Sequence, residues 1–255
     1  MSKPLILVTN DDGIIAPGIK ALVEVAKEFG DVFVIAPDSP QSGQGHAITI
    51  NSPLRLNRAD IFEGVEAYEC SGTPADCVKL GKNVLLKNKK VDLCLSGINH
   101  GSNASINIIY SGTMSAAMEA SLEGINSIGF SLCNFSFKAD FEPAKYYTRK
   151  IIGNVLQKGM IKCNLLNVNI PDLSLNELKG IKVCAQGEGH WKEEFQEGKD
   201  PRGESYFWLA GQFVKVGGEE KTDLDYLDEG YVTVVPSHHD LTAHQAISEM
   251  SILEE

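Results

Sequence analysis

The chain has 255 residues, with 23 lysines and arginines against 34 aspartates and glutamates, so its formal charge is −11. Its 43% apolar and 22% charged residues are those of a globular domain, which excludes a disordered tail, a collagen and a coiled coil. The acidic balance argues against a nucleic-acid polymer as partner, and no run of about 18 apolar residues offers a membrane span.

In chain order, Leu5-Ile6-Leu7-Val8 is a continuous apolar run, the pattern of a strand covered on both faces. Pro17 to Phe29 carries Ile19, Leu22, Val23, Val25, Ala26 and Phe29 at helical spacing, with Gly30 as a stop. Val32 to Ala36 reads as a second buried strand ended by Pro37. Thr73-Pro74-Ala75-Asp76 has the order of an N-cap, a proline at the first helical position and an acid in the first turn. It opens a helix to about Leu86. A strand over Val91 to Leu95, a helix over Thr113 to Leu122, a strand over Ile128 to Leu132 and a helix over Pro143 to Leu156 follow. Alternation of this kind builds a parallel sheet with right-handed crossovers. The expected fold is α/β, a Rossmann-like three-layer arrangement around a mostly parallel sheet.

Beyond residue 180 the pattern changes. Tyr206-Phe207-Trp208-Leu209 and Phe213-Val214-Lys215-Val216, separated by a short glycine-bearing turn, read as a β-hairpin outside the main sheet. Gly230 to Pro236 is one more strand, and a short helix starts near Thr242. Residues 1–180 are thus expected to form the ligand-binding core and 181–255 a C-terminal extension. Its hairpin is either an oligomerisation arm or a flap packed on its own domain. Six scattered cysteines without a CxxC pair suit reduced thiols. The N-terminal MSKPLILVTNDDG lacks the apolar region and cleavage site of a signal peptide, so a cytoplasmic location is expected.

Ligands of open parallel sheets bind beyond the carboxyl ends of the strands. Three segments follow strands on that edge: Thr9-Asn10-Asp11-Asp12-Gly13, Asp38 to His46, and Ser96 to Asn103. All are rich in small and oxygen-bearing side chains. Adjacent carboxylates at the end of a buried strand repel each other and resist desolvation, and a divalent cation removes both problems. Asp11 and Asp12, with Ser42 and Asn99 on the neighbouring segments, offer hard oxygen donors that select Mg²⁺, Mn²⁺ or Ca²⁺ over Zn²⁺. Asp-Asp-Gly is also ordinary turn chemistry, with Gly13 supplying a positive φ. Glycines 43, 45, 97, 101 and 112 let backbone N–H groups approach an anion. Ser111-Gly112-Thr113 opens a helix and suits either a phosphate cradle or a plain N-cap. Neither GxxxxGK[ST] nor GxGxxG occurs, which weighs against a P-loop ATPase and a dinucleotide-binding dehydrogenase. His46 and His100 stand on the same edge as candidate phosphate donors or proton shuttles, whereas His238, His239 and His244 have no zinc spacing.

These motifs together resemble the SurE (survival protein E) family. They are Ile6 to Gly13, Val34-Ile35-Ala36-Pro37-Asp38, Ser42 with Gly45-His46-Ala47-Ile48-Thr49, Gly72 to Val78, Ser96 to Asn103, Tyr110-Ser111-Gly112-Thr113 and Gly230-Tyr231-Val232-Thr233. The resemblance implies one divalent cation per subunit, Mg²⁺ or Mn²⁺, on Asp11, Asp12, Ser42 and Asn99. It implies hydrolysis of nucleoside 5′-monophosphates, with 3′-nucleotides and short polyphosphate as further substrates. It also implies a homodimer or homotetramer that exchanges its C-terminal extension. One departure is the acidic character of residues 186–201, with Glu188, Glu193, Glu194 and Glu197.

The expected chemistry is attack of a metal-activated water on a phosphomonoester. Asp11 and Asp12 are the candidate catalytic residues, with Asp11 both ligand and proton acceptor. Asn10, Gly43, Asn99, Ser111, Gly112 and Thr113 are the candidate phosphate-binding residues. Two other readings compete. An aspartyl-phosphate phosphatase would want an acid two positions after its nucleophile, where Gly13 stands. A non-catalytic nucleotide-binding or sensory module would need the cradle but no paired carboxylates.

Overall fold

The computed structural model describes residues 3–254. Eleven strands and six helices follow one another as β1 (Leu5–Thr9), α1 (Pro17–Ala26), β2 (Asp31–Pro37), β3 (Leu56–Arg58), β4 (Glu66–Cys70), α2 (Pro74–Leu80), β5 (Leu93–His100), α3 (Gly112–Leu122), β6 (Ser127–Leu132), α4 (Glu142–Lys158), β7 (Leu165–Ile170), β8 (Ile181–Val183), β9 (Gly189–Lys199), β10 (Ser205–Lys215), α5 (Asp223–Asp228), β11 (Val232–Ser237) and α6 (Ile247–Met250). Among the described residues nine strands form one sheet in the order β3-β4-β2-β1-β5-β6-β7-β11-β8, and β9 and β10 form a separate ribbon. Pairing is parallel from β4 through β7, while β3 and β11 run antiparallel to β4 and β7.

Alternation along each strand divides the core between two faces. Ile6, Val8, Val34, Ala36, Leu93 and Leu95 pack with Ile19, Leu22 and Val25 of α1 and Ile151 and Ile152 of α4. Leu7, Phe33, Ile35 and Cys94 point the other way, onto Cys77 and Val78 of α2 and Ala116 and Ala120 of α3. Helices therefore cover both faces, the condition under which continuous apolar strands are stable. The chain winds outward from β1 to β3, then returns to place β5 against the free side of β1. The crevice between β1 and β5 is the point where strand order reverses, and the ends of β1, β2 and β5 share its rim.

Several elements differ from the sequence expectation. The strand expected to stop at Leu95 continues as β5 to His100, with a register shift between Ser96 and Asn99, so much of the expected loop is strand. The α2 helix ends at Leu80, and a single π-helical turn over Gly81–Leu85 carries the chain to Leu86. The hairpin exists, but its strands are displaced. Both aromatic runs lie in β10, which pairs with β9 from Ser205↔Lys199 to Lys215↔Gly189. Gly211, taken as the turn, sits mid-strand opposite Glu193 with φ +148°. The turn is instead at Asp200, whose Oδ1 accepts from the N–H groups of Arg202 (2.8 Å) and Glu204 (2.9 Å). Both ribbon strands are solvent-exposed, so no alternation marked the acidic one. The expected helix from Thr242 is three short pieces: a 3₁₀ turn over His244–Ala246, α6, and a 3₁₀ turn over Ser251–Glu254. β8 and β11, both beyond residue 180, complete the main sheet.

Candidate active site

The site is built from the ends of β1 and β5, the segment after β2, and the N-terminus of α3. After Thr9 the chain turns sharply: Asn10 Nδ2 donates to the Gly13 carbonyl (2.9 Å), and Gly13 takes φ +95°. This turn leaves Asp11 buried and Asp12 half-buried at the crevice. The Asp11 carbonyl accepts from the Gln41 N–H (2.8 Å), which docks the segment carrying Ser42 and Gly43 beside β1.

Asp11 points at the start of α3. Thr113 Oγ1 donates to Asp11 Oδ1. A Cβ on Gly112 would lie 2.6 Å from Asp11 Cβ and 2.8 Å from Oδ2, so only glycine admits this approach. Ser111 is the N-cap, its Oγ accepting from the Met114 N–H (3.0 Å). The α3 N-terminus thus faces a carboxylate, which accepts from both the side chain and the backbone of Thr113. Asp12 Oδ2 accepts from the His100 N–H (3.2 Å), linking β1 to the end of β5. Asn99 Nδ2 donates to the Gly101 carbonyl (2.7 Å), so Oδ1 is the atom it can offer a ligand.

The electrostatics are unfavourable without a cation. Burial, reinforced by the Asp12 charge, pushes the Asp11 pKa up to about 6 against the pull of the Thr113 hydrogen bonds. Burial also raises Asp12, opposed only by the His100 N–H. The buried Asn10 Oδ1 has no hydrogen-bond partner. Among the described residues no group of three or more His, Cys, Asp or Glu comes together to hold a metal. The available set is two carboxylates with an amide and a hydroxyl oxygen, a donor chemistry that fits a hard divalent cation.

Asp11, Gly112 and Thr113 are therefore in direct contact, Asp12 and Asn99 are joined through β5, and Ser111 caps the same helix. Ser42 and Gly43 are exposed in their segment, brought to the rim by Gln41 and by Gly45, whose N–H donates to the Tyr110 carbonyl (3.1 Å). Thr73 Oγ1 holds the Ala47 carbonyl (2.7 Å) and Asp76 accepts from the Thr49 N–H (3.1 Å), so the Thr73–Asp76 capping box also anchors this segment. His46 meets Glu119 Oε2 through Nε2 (2.9 Å), and Lys79 Nζ meets Glu119 Oε1 (2.6 Å). His100 is buried, its ring against Phe137 and Phe141. His244 pairs with Asp240 (2.6 Å) within the C-terminal segment. Glu119 and Asp223, both buried polar residues, carried no signal in the sequence: Glu119 lies inside α3 and Asp223 is the first residue of the short α5, neither at the end of an apolar strand run.

Comparisons with known proteins agree on one family. The family model for Survival protein SurE matches residues 6–193. A 5′-nucleotidase SurE from Cytophaga hutchinsonii is 56% identical over 98% of this chain and 97% of its own length. Another, from Christiangramia forsetii, is 58% identical over 98% of this chain and 96% of its own. The crystal structure of the SurE protein from Aquifex aeolicus superposes with a TM-score of 0.84 at 42% identity, covering 99% of this chain and all of that one.

Proposed function

Because the chain belongs to the SurE family, we propose that it is a 5′-nucleotidase holding one divalent cation, Mg²⁺ or Mn²⁺, on Asp11, Asp12, Ser42 and Asn99. The observation that carries this reading is the pair of adjacent carboxylates, buried or half-buried without a cationic partner and aimed at a glycine-opened helix N-terminus. When bound, the cation supplies charge neutralisation for the phosphoryl oxygens and acidifies a water molecule. The chain's own groups do the rest. The N–H groups of Gly112 and Thr113, with Ser111, Asn99, Asn10 and the Gly43 N–H, seat the phosphate. The Asp11 carboxylate takes the proton of the attacking water. The water oxygen forms the new P–O bond, the bond from phosphorus to the ribose oxygen breaks, the leaving alkoxide takes a proton from solvent and Asp11 returns its own to solvent, giving nucleoside and phosphate.

Residues 1–180 are read as the metal- and phosphate-binding core and 181–255 as the extension. The exposed Phe195, Phe207, Trp208 and Leu209 of the ribbon, with Ile252 and Leu253 of the tail, favour burial between copies as a homodimer or homotetramer. No described helix is long and apolar enough to cross a membrane, and a cytoplasmic location is proposed with that.

Phosphate release from a panel of nucleoside 5′-monophosphates, 3′-nucleotides and short polyphosphate, with Mg²⁺, Mn²⁺ or EDTA, tests the reading. Metal-dependent release from 5′-nucleotides, abolished by EDTA, is expected. Full activity in EDTA would refute it, nucleotide binding without release under any metal would favour a sensory module, and a trapped phospho-Asp11 would favour covalent catalysis.

A further inference from the structure

We propose that Asp223, in the C-terminal extension, is a positioning residue for the phosphate cradle, fixing Ser105 at the start of the segment that delivers Ser111-Gly112-Thr113. Ser105 is fully buried and has φ +57°. That left-handed conformation favours glycine, and a residue bearing a Cβ stays there only where its surroundings hold it. Two bonds do so. The Ser105 N–H donates to Asp223 Oδ2 (2.9 Å), and Ser105 Oγ donates to the Gly187 carbonyl (2.7 Å). Asp223 Oδ1 in turn accepts from the Gly187 N–H (2.7 Å), so one buried carboxylate bridges two distant strands of backbone. The approach is close: a Cβ on Gly187 would lie 2.7 Å from Thr222 Oγ1 and 2.9 Å from Asp223 Oδ1.

The consequence reaches the site along a short path. Ser105 opens the 3₁₀ turn Ser105–Ile109, followed by Tyr110 and the N-cap Ser111. The Tyr110 carbonyl is the acceptor for Gly45, so the same segment also seats the loop of Ser42 and Gly43. Before Ser105 the chain is fixed by the core, through Asn103 N–H to Asn169 Oδ1 (2.7 Å), Asn103 Nδ2 to Ser131 Oγ (2.8 Å) and Asn167 Nδ2 to the Asn103 carbonyl (2.8 Å). After it, the extension adds two ties to those of the core: Asp223 at Ser105, and Trp191 Nε1 donating to Asn107 Oδ1 (2.9 Å). The extension thereby sets the direction in which the chain enters α3. A helix N-terminus binds phosphate through N–H groups whose aim is fixed by that direction.

This inference rests on the reading that the α3 N-terminus seats the phosphate, and the test separates the two. Full-length Asp223→Asn keeps the side-chain shape but offers one oxygen where two N–H groups need acceptors. KM for a nucleoside monophosphate and the Kd of inorganic phosphate are expected to rise about tenfold, the size of one hydrogen bond to a charged group. The constant for Mn²⁺ activation is expected to rise less than KM, because the segment touches the Ser42 loop only through Tyr110, and kcat to fall less than KM rises. Adding Ser105→Gly to D223N is expected to recover most of the phosphate affinity, because glycine needs no restraint at positive φ. An unchanged KM in D223N overturns the proposal, as does a loss shared equally with Mn²⁺ activation or one that S105G fails to relieve. If D223N does not fold, Ser105→Ala and Ser105→Gly answer instead: both lose the Oγ bond, and only alanine opposes the left-handed backbone. A larger KM for alanine is expected, and equal values overturn the proposal. Ser111→Ala reports on the cradle itself. If it leaves KM and phosphate binding unaltered, the cradle reading fails and the inference with it. If it weakens both while D223N does not, only the coupling fails.

Discussion

The crevice around Asp11 and Asp12 and the patch around Glu119 each bury carboxylate on the same protein, with opposite electrostatic outcomes. Glu119 is almost fully buried on α3, yet its pKa is lowered. Burial acts to raise it, but hydrogen bonds from His46 and Lys79 outweigh that effect. Asp11 receives the Thr113 bonds and no cation, and burial with the Asp12 charge lifts it to about 6. The chain is thus able to supply Lys and His to a buried carboxylate and does so at Glu119. At Asp11 and Asp12 it withholds them, as the proposed dication site requires. Perturbed carboxylates of the second kind mark functional sites more often than structural ones.

The largest expected effect is on turnover. Asp11→Asn should lower kcat/KM at least about a thousandfold, since cation binding and proton acceptance are lost together, and Asp12→Asn should lower it through cation binding alone. Steady-state phosphate release across a Mn²⁺ titration measures this. Rates near wild type for D11N at saturating Mn²⁺ would remove Asp11 from the site.

Stability should move the other way. In EDTA the folded Asp11 keeps its proton to about pH 6, whereas the ordinary value is 3.8. The folded state binds more protons than the unfolded state across that window, so stability falls as pH rises through it. At 1.36 kcal/mol per pKa unit the loss reaches about 3 kcal/mol above pH 6. Urea unfolding of EDTA-treated protein at pH 4 and pH 8 should show this decline, and D11N should remove the Asp11 share of it, leaving that of Asp12, and be the more stable protein at pH 8. Mn²⁺ should restore the wild type and leave D11N unchanged. A metal-free wild type as stable at pH 8 as D11N would mean that the carboxylate is already satisfied.

Glu119→Gln should cost about 2 kcal/mol, because it removes the charge that Lys79 and His46 are arranged around while keeping its volume. Turnover should suffer far less than in D11N, since Glu119 reaches the rim only through His46. A thousandfold loss of kcat in E119Q would place Glu119 inside the chemistry.

The same contrast explains what the sequence could and could not reveal. β1, β2 and α1 were legible because strands buried on both faces leave unbroken apolar runs and an amphipathic helix leaves a 3.6-residue spacing. Asp11, Asp12, Asn99, Gly112 and Thr113 were legible because strand ends and helix starts are where backbone polarity is exposed. β7 was not, since Asn167 and Asn169 interrupt its apolar pattern. They are buried to hold Asn103 and each other, a long-range need without local trace. β3 is the edge strand and β4 its neighbour, and Asn57, Arg58, Glu66 and Glu69 leave no apolar run to mark them. Glu119 and Asp223 illustrate the same limit, because their partners are respectively 40 and 118 residues away, at Lys79 and Ser105.

The smallest expected effect isolates one cation of the satisfied carboxylate. Lys79→Met leaves Glu119 with His46 alone. Lys79 is 41% exposed, so water screens its charge, and the loss should be about 1 kcal/mol or less at pH 8. Its pH dependence carries more information than its size. A carboxylate with a lowered folded pKa contributes stability above its ordinary value of 4.5 and loses it as pH falls through the folded one. The gap between K79M and wild type should therefore be full at pH 8 and close progressively below pH 4.5, the reverse of the trend expected for Asp11 in EDTA. Urea unfolding of both proteins at pH 8 and in mild acid reads this directly. A gap independent of pH would assign the effect of Lys79 to packing of its aliphatic stem, and the two buried carboxylates would then no longer differ by the cations that the chain provides.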